Sequence, residues 1–401
     1  MHVPEEISSI CYASSVDLSL PRGPSVNERE FCLSLARRLG EHLTVITPRP
    51  AESAEEVAGE LQGARVVWLP PGDHRSPRAW LAQQIAILRE LNRSYHRSTS
   101  TGHFFVFRSH FMPVGLASFA LLRRPSFAVK TAHDGRFEYL RRHSWPLRLA
   151  GYPNKLLHKF LLTTAKAIDV VSEQHARSLS EELDLSRAKI AVIDNGVNPD
   201  RFHCLDRRRC REDLGLAHMR EIVGYVGNEP WLRGGRQLVE VARELRNRRP
   251  GCFILIVGSG PNMKKLSSLA ERLGVEHIVK FTGQVPYRSV TTHICALDVG
   301  VSFLEPQHRG ESEQKVRQYL SCGRPTVVTP GSSDFVGPAK VGTVVEPDRQ
   351  PESVVRALEY WLDRDSETTE NRCRAYAIQA LSVDSRTEAR IRAWGIGRWG
   401  E

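Results

Sequence analysis

The chain has 401 residues, 41% of them hydrophobic, which is enough to bury a sizeable core and long for a single one, so two domains are expected. No apolar run reaches the roughly 18–20 residues that span a bilayer, and the N-terminus MHVPEEISSI lacks the basic-then-apolar order of a secretion signal, so the expected location is the cytoplasm. A net charge of +10 implies attraction to something anionic (nucleic acid, an acidic membrane surface or a substrate), while eight cysteines without a CxxC pair or a histidine at ligand spacing argue against a zinc site or a disulfide framework.

In chain order, short β-branched or aromatic runs alternate with segments of helical period. Strands are predicted at 7–12, 43–47, 65–69, 104–107, 127–131, 167–171 and 189–193, with helices at 27–39, 80–93, 112–122 and 173–183. A charge-rich stretch from Cys204 to Arg220 follows, and then the pattern restarts. The second series has strands at 221–226, 252–257, 278–282, 299–303, 325–328 and 342–345, and helices at 235–247, 262–273, 286–296, 313–321 and 352–363. Strand then helix, repeated, is the pattern of a parallel sheet covered on both faces. The expected class is therefore α/β, with Rossmann-like lobes at 1–200 and 201–380. In the remaining segment, 381–401, Ile391, Trp394 and Trp399 would anchor a return to the first lobe.

Open parallel sheets bind ligands at the carboxyl ends of their strands, with phosphates near loop and helix-start N–H groups. The first such loop, SLPRGPSVNEREF, offers Gly23 for close approach of backbone to ligand and Ser25 or Asn27 as a helix cap. The turn VGSGPN offers Gly258 and Gly260, and neither a G-x-G-x-x-G fingerprint nor a P-loop occurs. The loop VGNEPWLRGGRQL places Asn228, Arg233 and Arg236 beside Gly227, Gly234 and Gly235, an arginine fork suited to a diphosphate.

The richest stretch is HRGESEQKVRQYLSCGRPTVVTPG. Ser312 is its expected N-cap, Lys315 sits at the helix start, and Gln318 follows at i+3. Ribose hydroxyls would fall to Gln318 or Glu313 and phosphates to Lys315 with the arginines. The competing reading is a surface ion-pair network of Glu311, Glu313 and Lys315. In the first half, His110 follows the strand 104–107, and His133-Asp134 follows 127–131. Basic clusters at Arg123-Arg124, Arg141-Arg142-His143 and 155–159, interleaved with Trp145, Leu147, Leu149, Leu156, Leu157 and Phe160, could lie on an anionic membrane or be solvated stripes of packed helices. Dispersed arginines without an aromatic stacking platform argue against a nucleic-acid partner.

Several of these segments, in order, resemble the retaining glycosyltransferase family usually called family four. They are VSEQHARSLSEEL, KIAVIDNGVNPDRF through Asn195-Gly196-Val197 and Phe202, the loop with Gly227 and Arg233-Gly234, VGSGP, FTGQVPYRSV, ALDVGV with Asp298, and YLSCGRPTVV. The resemblance covers nearly the whole chain and implies the GT-B fold, two Rossmann-like parallel-sheet lobes facing across a cleft. It further implies transfer of a sugar from a nucleoside diphosphate sugar to a hydroxyl acceptor (a glycan, a lipid-linked molecule or a small molecule) with retention of configuration and without a metal or other cofactor. By the same resemblance the C-lobe holds the nucleotide, His110 lies beside the donor sugar, and Arg233 and Lys315 contact the phosphates. A protein of this kind would work in the cytoplasm or peripherally at the inner membrane surface.

The chain departs from the family pattern at three places. The two glutamates eight positions apart are replaced by Gly310 and Gln318, Glu313 stands where a serine-proline-x-lysine subfamily has proline, and Asn228 stands for a donor-loop arginine. An inverting enzyme, a sugar-nucleotide epimerase of the same architecture, and a non-catalytic sugar-nucleotide-binding partner of an active transferase are the alternatives.

Overall fold

A computed structural model describes residues 7–20, 23–50, 54–61, 63–71, 76–97, 102–108, 113–131, 156–305, 313–331, 333–346 and 351–396. The chain divides into two compact units, Met1–Asn195 with Val383–Glu401, and Gly196–Ser382.

The first unit is built on seven strands: β1 (Ser9–Ala13), β2 (Leu43–Pro48), β3 (Arg65–Leu69), β4 (His103–Arg108), β5 (Phe127–Thr131), β6 (Ala167–Val170) and β7 (Ile190–Val192). They pair in the order β3-β2-β1-β4-β5-β6-β7, every pairing parallel. The helices α1 (Gly23–Leu39), α2 (Ala54–Glu60), α3 (Pro77–Arg97) and α4 (Pro113–Arg123) connect the early strands. Side chains alternate across a strand, so the sheet feeds two apolar clusters. Cys11, Phe105 and Phe107 pack with Ile87 and Leu91 of α3 and Leu116 and Phe119 of α4. Ile10, Tyr12, Phe104 and Val106 pack on the opposite face with Phe31 and Leu35 of α1, Val57 of α2, and Ile391 and Trp394.

The last two residues belong to the C-terminal part of this unit. Trp394 is fully buried, donates from Nε1 to Asp169 at 2.9 Å and stands edge-on to Phe31. Arg390 reaches the other oxygen of the same carboxylate at 3.0 Å. Trp399 lies outside the described residues.

The second unit has six parallel strands: β8 (Glu221–Val226), β9 (Cys252–Val257), β10 (Val279–Gly283), β11 (Val299–Ser302), β12 (Thr326–Val328) and β13 (Gly342–Val344), in the order β10-β9-β8-β11-β12-β13. The charge-rich stretch between the two predicted series contains a helix, Arg207–Asp213, that periodicity does not signal because only Cys210 on it is buried. Asp206 caps it by accepting from the Arg209 N–H at 2.6 Å, and Arg207 and Arg211 fasten it to Asp298 at 2.7 and 2.6 Å. Polar composition likewise conceals the helix Ser366–Leu381, of which only Thr369, Cys373, Ala377 and Leu381 are buried.

Candidate functional site

The carboxyl ends of β8 and β11 bring together the loop after Val226 and the helix Gln314–Ser321. That helix is seated by Tyr319, whose ring lies over Gly300, where a Cβ would stand 2.5 Å from it, and whose hydroxyl accepts from the Val226 N–H at 2.7 Å. Seating Tyr319 puts Glu313, the residue before the helix, against the end of β11, and Lys315 against the end of β8. Glu313 is 3% exposed; its carboxylate accepts from Arg233 Nη1 at 2.7 Å and also from Lys315 Nζ and Ser302 Oγ. Lys315 also lies 5.3 Å from the centre of the Tyr225 ring.

Burial alone would push the Glu313 carboxyl up, but Lys315 and Arg233 outweigh it, and hydrogen bonds from Lys315 and Ser302 add to them, so its pKa is lowered. The result is one buried carboxylate holding two cations at a strand-end loop, a local charge that an anion with two or more oxygens can meet.

Two expectations change here. The helix begins at Gln314, so the N-cap position belongs to Glu313 and not to Ser312, which lies outside the described residues with Gly310 and Glu311. Nor are Glu313 and Lys315 a surface pair: both are buried, so their pairing is set by desolvation and geometry rather than by weak solvated attraction. Glu313 is occupied as a counter-ion, and Gln318, one turn into the helix, is partly buried.

The glycines of the loops pack against one another. Gly227 donates to Val257 at 3.0 Å, Gly258 donates to Gly283 at 2.9 Å, and a Cβ on Gly258, at φ +118°, would stand 1.8 Å from the Gly227 oxygen. A Cβ on Gly260 would meet Glu229 Cα at 2.9 Å. Gly234, at φ +132°, separates the short helix Pro230–Arg233 from Gly235–Arg248, and the Arg233 carbonyl receives the Phe303 N–H at 3.1 Å. These glycines thus weld the β8, β9 and β11 loops into one rim that carries Arg233. Asn228 is exposed on that rim, and Arg236 pairs with Glu240 at 2.8 Å along its own helix.

In the first unit Gly23 is already the first residue of α1, and a Cβ there would meet nothing within 4 Å; Ser25 and Asn27 are inside the helix and cannot cap it. His110, His133 and Asp134 lie outside the described residues, as do Arg141, Arg142, His143, Trp145, Leu147, Leu149 and Lys155.

The sequence reading missed a buried cluster at the carboxyl ends of β1, β4 and β5. Glu28 of α1 accepts from Tyr12 and Lys130 and pairs with Arg108 Nη1 at 2.8 Å. Burial raises the Glu28 carboxyl, yet Arg108 and Lys130 together bring it down to about 2. Burial in turn lowers Lys130 to about 8, against the pull of Glu28. The only sequence signal was a single basic residue at or next to the end of each of two apolar strands, HFFVFR and FAVKT. Among the described residues no group of three or more His, Cys, Asp or Glu side chains is placed to hold a metal ion.

Comparison with known proteins bears on both units. The signature described as Glycosyltransferase Family 4 matches residues 29–201, and that described as Glycosyl transferases group 1 matches 206–380. The Anabaena Alr3699/HepE crystal structure in complex with UDP superposes with a TM-score of 0.71 at 15% identity, covering 96% of this chain and 98% of that one. The chain has the GT-B fold. Among curated proteins it is 26% identical over 185 residues to the D-inositol 3-phosphate glycosyltransferase of Corynebacterium jeikeium, covering 44% of this chain and 43% of that protein. It is 33% identical over 167 residues to the GDP-mannose-dependent alpha-(1-6)-phosphatidylinositol monomannoside mannosyltransferase of Mycolicibacterium smegmatis, covering 40% of this chain and 44% of that protein. The matched parts therefore span less than half the length of these two relatives.

Proposed function

We propose that this GT-B protein transfers a sugar from a nucleoside diphosphate sugar to a hydroxyl-bearing acceptor, with retention of anomeric configuration and with the diphosphate held by the second unit. The observation that carries this reading is the Arg233–Glu313–Lys315 cluster at the carboxyl ends of β8 and β11, where an open parallel sheet presents ligands. In the reaction the bond from the anomeric carbon to the phosphate oxygen breaks and the acceptor oxygen bonds to that carbon from the same face. The hydroxyl proton passes to the departing diphosphate. Arg233 and Lys315 stabilise the negative charge that grows on the leaving group, electrostatic catalysis by donors already in place. His110 orients the sugar or acceptor. Relatives named for D-inositol 3-phosphate and for phosphatidylinositol monomannoside support a small-molecule or lipid-linked acceptor.

The test is turnover of Arg233→Ala and Lys315→Ala at saturating donor. The donor is found first by thermal shift across UDP-, GDP-, TDP- and ADP-sugars, because a ligand bound to the folded state raises its stability by mass action. Both substitutions should lower kcat, and an unchanged kcat in both refutes the assignment. Anomer analysis of the product separates retention from inversion. Donor binding with neither hydrolysis nor transfer would instead assign the chain as a binding partner of an active enzyme.

A further inference from the structure

Five of the chain's eight cysteines gather at the amino ends of β11, β12 and β13, on the far side of the second sheet from Arg233 and Glu313. Cys295 closes the helix Val290–Cys295, and Cys322 is the C-cap of the helix Gln314–Ser321. Cys373, on the helix Ser366–Leu381, donates to the Val341 carbonyl at 3.9 Å, and Cys210 is the buried residue of the helix Arg207–Asp213. Cys204 stands beside Gly323, where a Cβ would lie 3.0 Å from its sulfur. All five are free thiols.

A buried cation faces them. Arg324 is fully buried and gives Nη2 to Glu370 at 2.7 Å, while its Nε and Nη1 have no hydrogen-bond partner among the described residues. Its charge acts on all five thiols in the direction of the thiolate. A guanidinium short of acceptors in a buried place is best met by an anion, and a thiol becomes one by losing its proton. Cys295 is the thiol placed to do so. Its sulfur accepts from the Leu205 N–H at 3.5 Å and from the Cys322 thiol, and lies 3.4 Å from the His203 carbonyl. Seven of the eight thiols are pushed up by burial. At Cys295 the hydrogen bond from Cys322 outweighs burial, Leu205 and Arg324 add to it, and the thiol lies below its ordinary value. The two peptide groups it touches are those on either side of Cys204, and there His203 is exposed and Cys204 and Leu205 are partly so. One layer of chain therefore separates the Cys295 sulfur from solvent.

We propose that Cys295 and Cys322 form a redox-active dithiol, a modification site that a hydroperoxide converts to a disulfide and a thiol reductant reopens. Their hydrogen bond already sets the two sulfurs side by side. With hydrogen peroxide, the Cys295 sulfur attacks one oxygen. An S–O bond forms, the O–O bond breaks, and the released oxygen takes up the Cys295 proton and leaves as water. The Cys322 sulfur then attacks the Cys295 sulfur. The S–S bond forms, the S–O bond breaks, and the hydroxyl leaves as a second water with the Cys322 proton. Two thiols thus give two electrons and two protons to one peroxide. The inference is independent of the sugar-transfer reading, because Cys322 lies at the opposite end of the helix Gln314–Ser321 from Glu313 and Lys315.

The experiment treats the folded full chain with stoichiometric hydrogen peroxide, alkylates the remaining thiols under denaturing conditions and maps the tryptic peptides. Trypsin leaves Cys204, Cys295 and Cys322 on separate peptides. A linked pair joining Cys295 to Cys322, a loss of two alkylatable thiols per chain, and their return with dithiothreitol are expected. Cys322→Ser keeps a hydroxyl donor beside Cys295 but cannot close the disulfide, so a sulfenic acid trapped by dimedone should accumulate at Cys295. Cys204→Ser should link Cys295 to Cys322 as the unaltered chain does. An unaltered chain that keeps all its thiols, or that links Cys204 or Cys373 in place of this pair, overturns the inference. So does a Cys322→Ser variant that folds by circular dichroism yet gives no dimedone adduct at Cys295. Where that variant does not fold, the peptide map of the unaltered chain decides.

Discussion

Replacing Glu313 by glutamine keeps its shape and its bond with Ser302 but removes the charge that holds Arg233 and Lys315 together. The three side chains are 3%, 21% and 9% exposed, so the cations left behind are partly or wholly out of water. Breaking a buried pair from one side costs about 3–5 kcal/mol. For a unit the size of Gly196–Ser382, each kcal/mol lowers the midpoint by about 2–4 °C, giving a fall of roughly 6–20 °C. A nucleoside diphosphate supplies the missing anion, so its stabilising shift should be larger in Glu313→Gln than in the unaltered chain. Melting followed by circular dichroism, with and without UDP or GDP, reads both effects. A variant as stable as the parent refutes the counter-ion argument. A destabilised variant that no longer responds to any diphosphate refutes it too, and makes Glu313 a ligand contact.

Gly258→Ala should destabilise the second unit by at least about 2 kcal/mol in denaturant titration, because its Cβ would stand 1.8 Å from the Gly227 oxygen at a left-handed φ, whereas Gly23→Ala should be neutral or stabilising by about 0.5–1 kcal/mol. Trp394→Ala should cost about 3–5 kcal/mol and loosen Asp169, seen as a lower midpoint for the first unit. Stability should fall with acid between pH 4.5, the ordinary carboxyl value, and about 2, where Glu28 titrates when folded. A depressed carboxyl pKa gives stability that is present above that window and lost on descending through it, about 3 kcal/mol for Glu28, and Glu28→Gln should flatten this slope. Lys130 acts in the alkaline range: held down to about 8 when folded and 10.5 otherwise, it makes stability rise with pH between those values.

Strands were legible where burial on both faces leaves an uninterrupted apolar run. Phe127–Thr131, Glu221–Val226 and Cys252–Val257 were placed to the residue, as was the partly exposed edge strand Arg65–Leu69, which its β-branched and aromatic residues signal instead. Helix starts were legible at Glu173 and Gly235 but not in α1, which begins four residues before its predicted start because Gly23 and Pro24 read as a turn. In the second unit, Arg233, Glu313 and Lys315 stood out as charges beside glycines or a helix start. Tyr225 and Ser302, which complete their setting, did not, because each sits within or at the end of an apolar strand and its partner comes from a distant loop. The cluster of Glu28, Arg108 and Lys130 spans 102 residues of sequence and exists only because β4 and β5 follow β1 in the sheet order.

Each unit therefore carries the same chemical set at its carboxyl strand ends: one glutamate, one arginine, one lysine and one hydroxyl. Glu28 has Arg108, Lys130 and Tyr12; Glu313 has Arg233, Lys315 and Ser302. What separates them is access. Arg108 and Lys130 are 6% and 3% exposed, so an incoming anion would have to displace the wall of the site before reaching either. Arg233 is 21% exposed on a rim of glycine-welded loops, while Lys315, at 9%, is nearly as buried as Arg108, so the difference in access lies at Arg233. The closed cluster fixes α1 to the sheet by attractions that only full burial makes strong, and the more open one holds a buried lysine beside an arginine that stands at the rim. The same four groups thus serve as a fastening in one unit and as a candidate diphosphate site in the other, with exposure as the physical variable that assigns the roles.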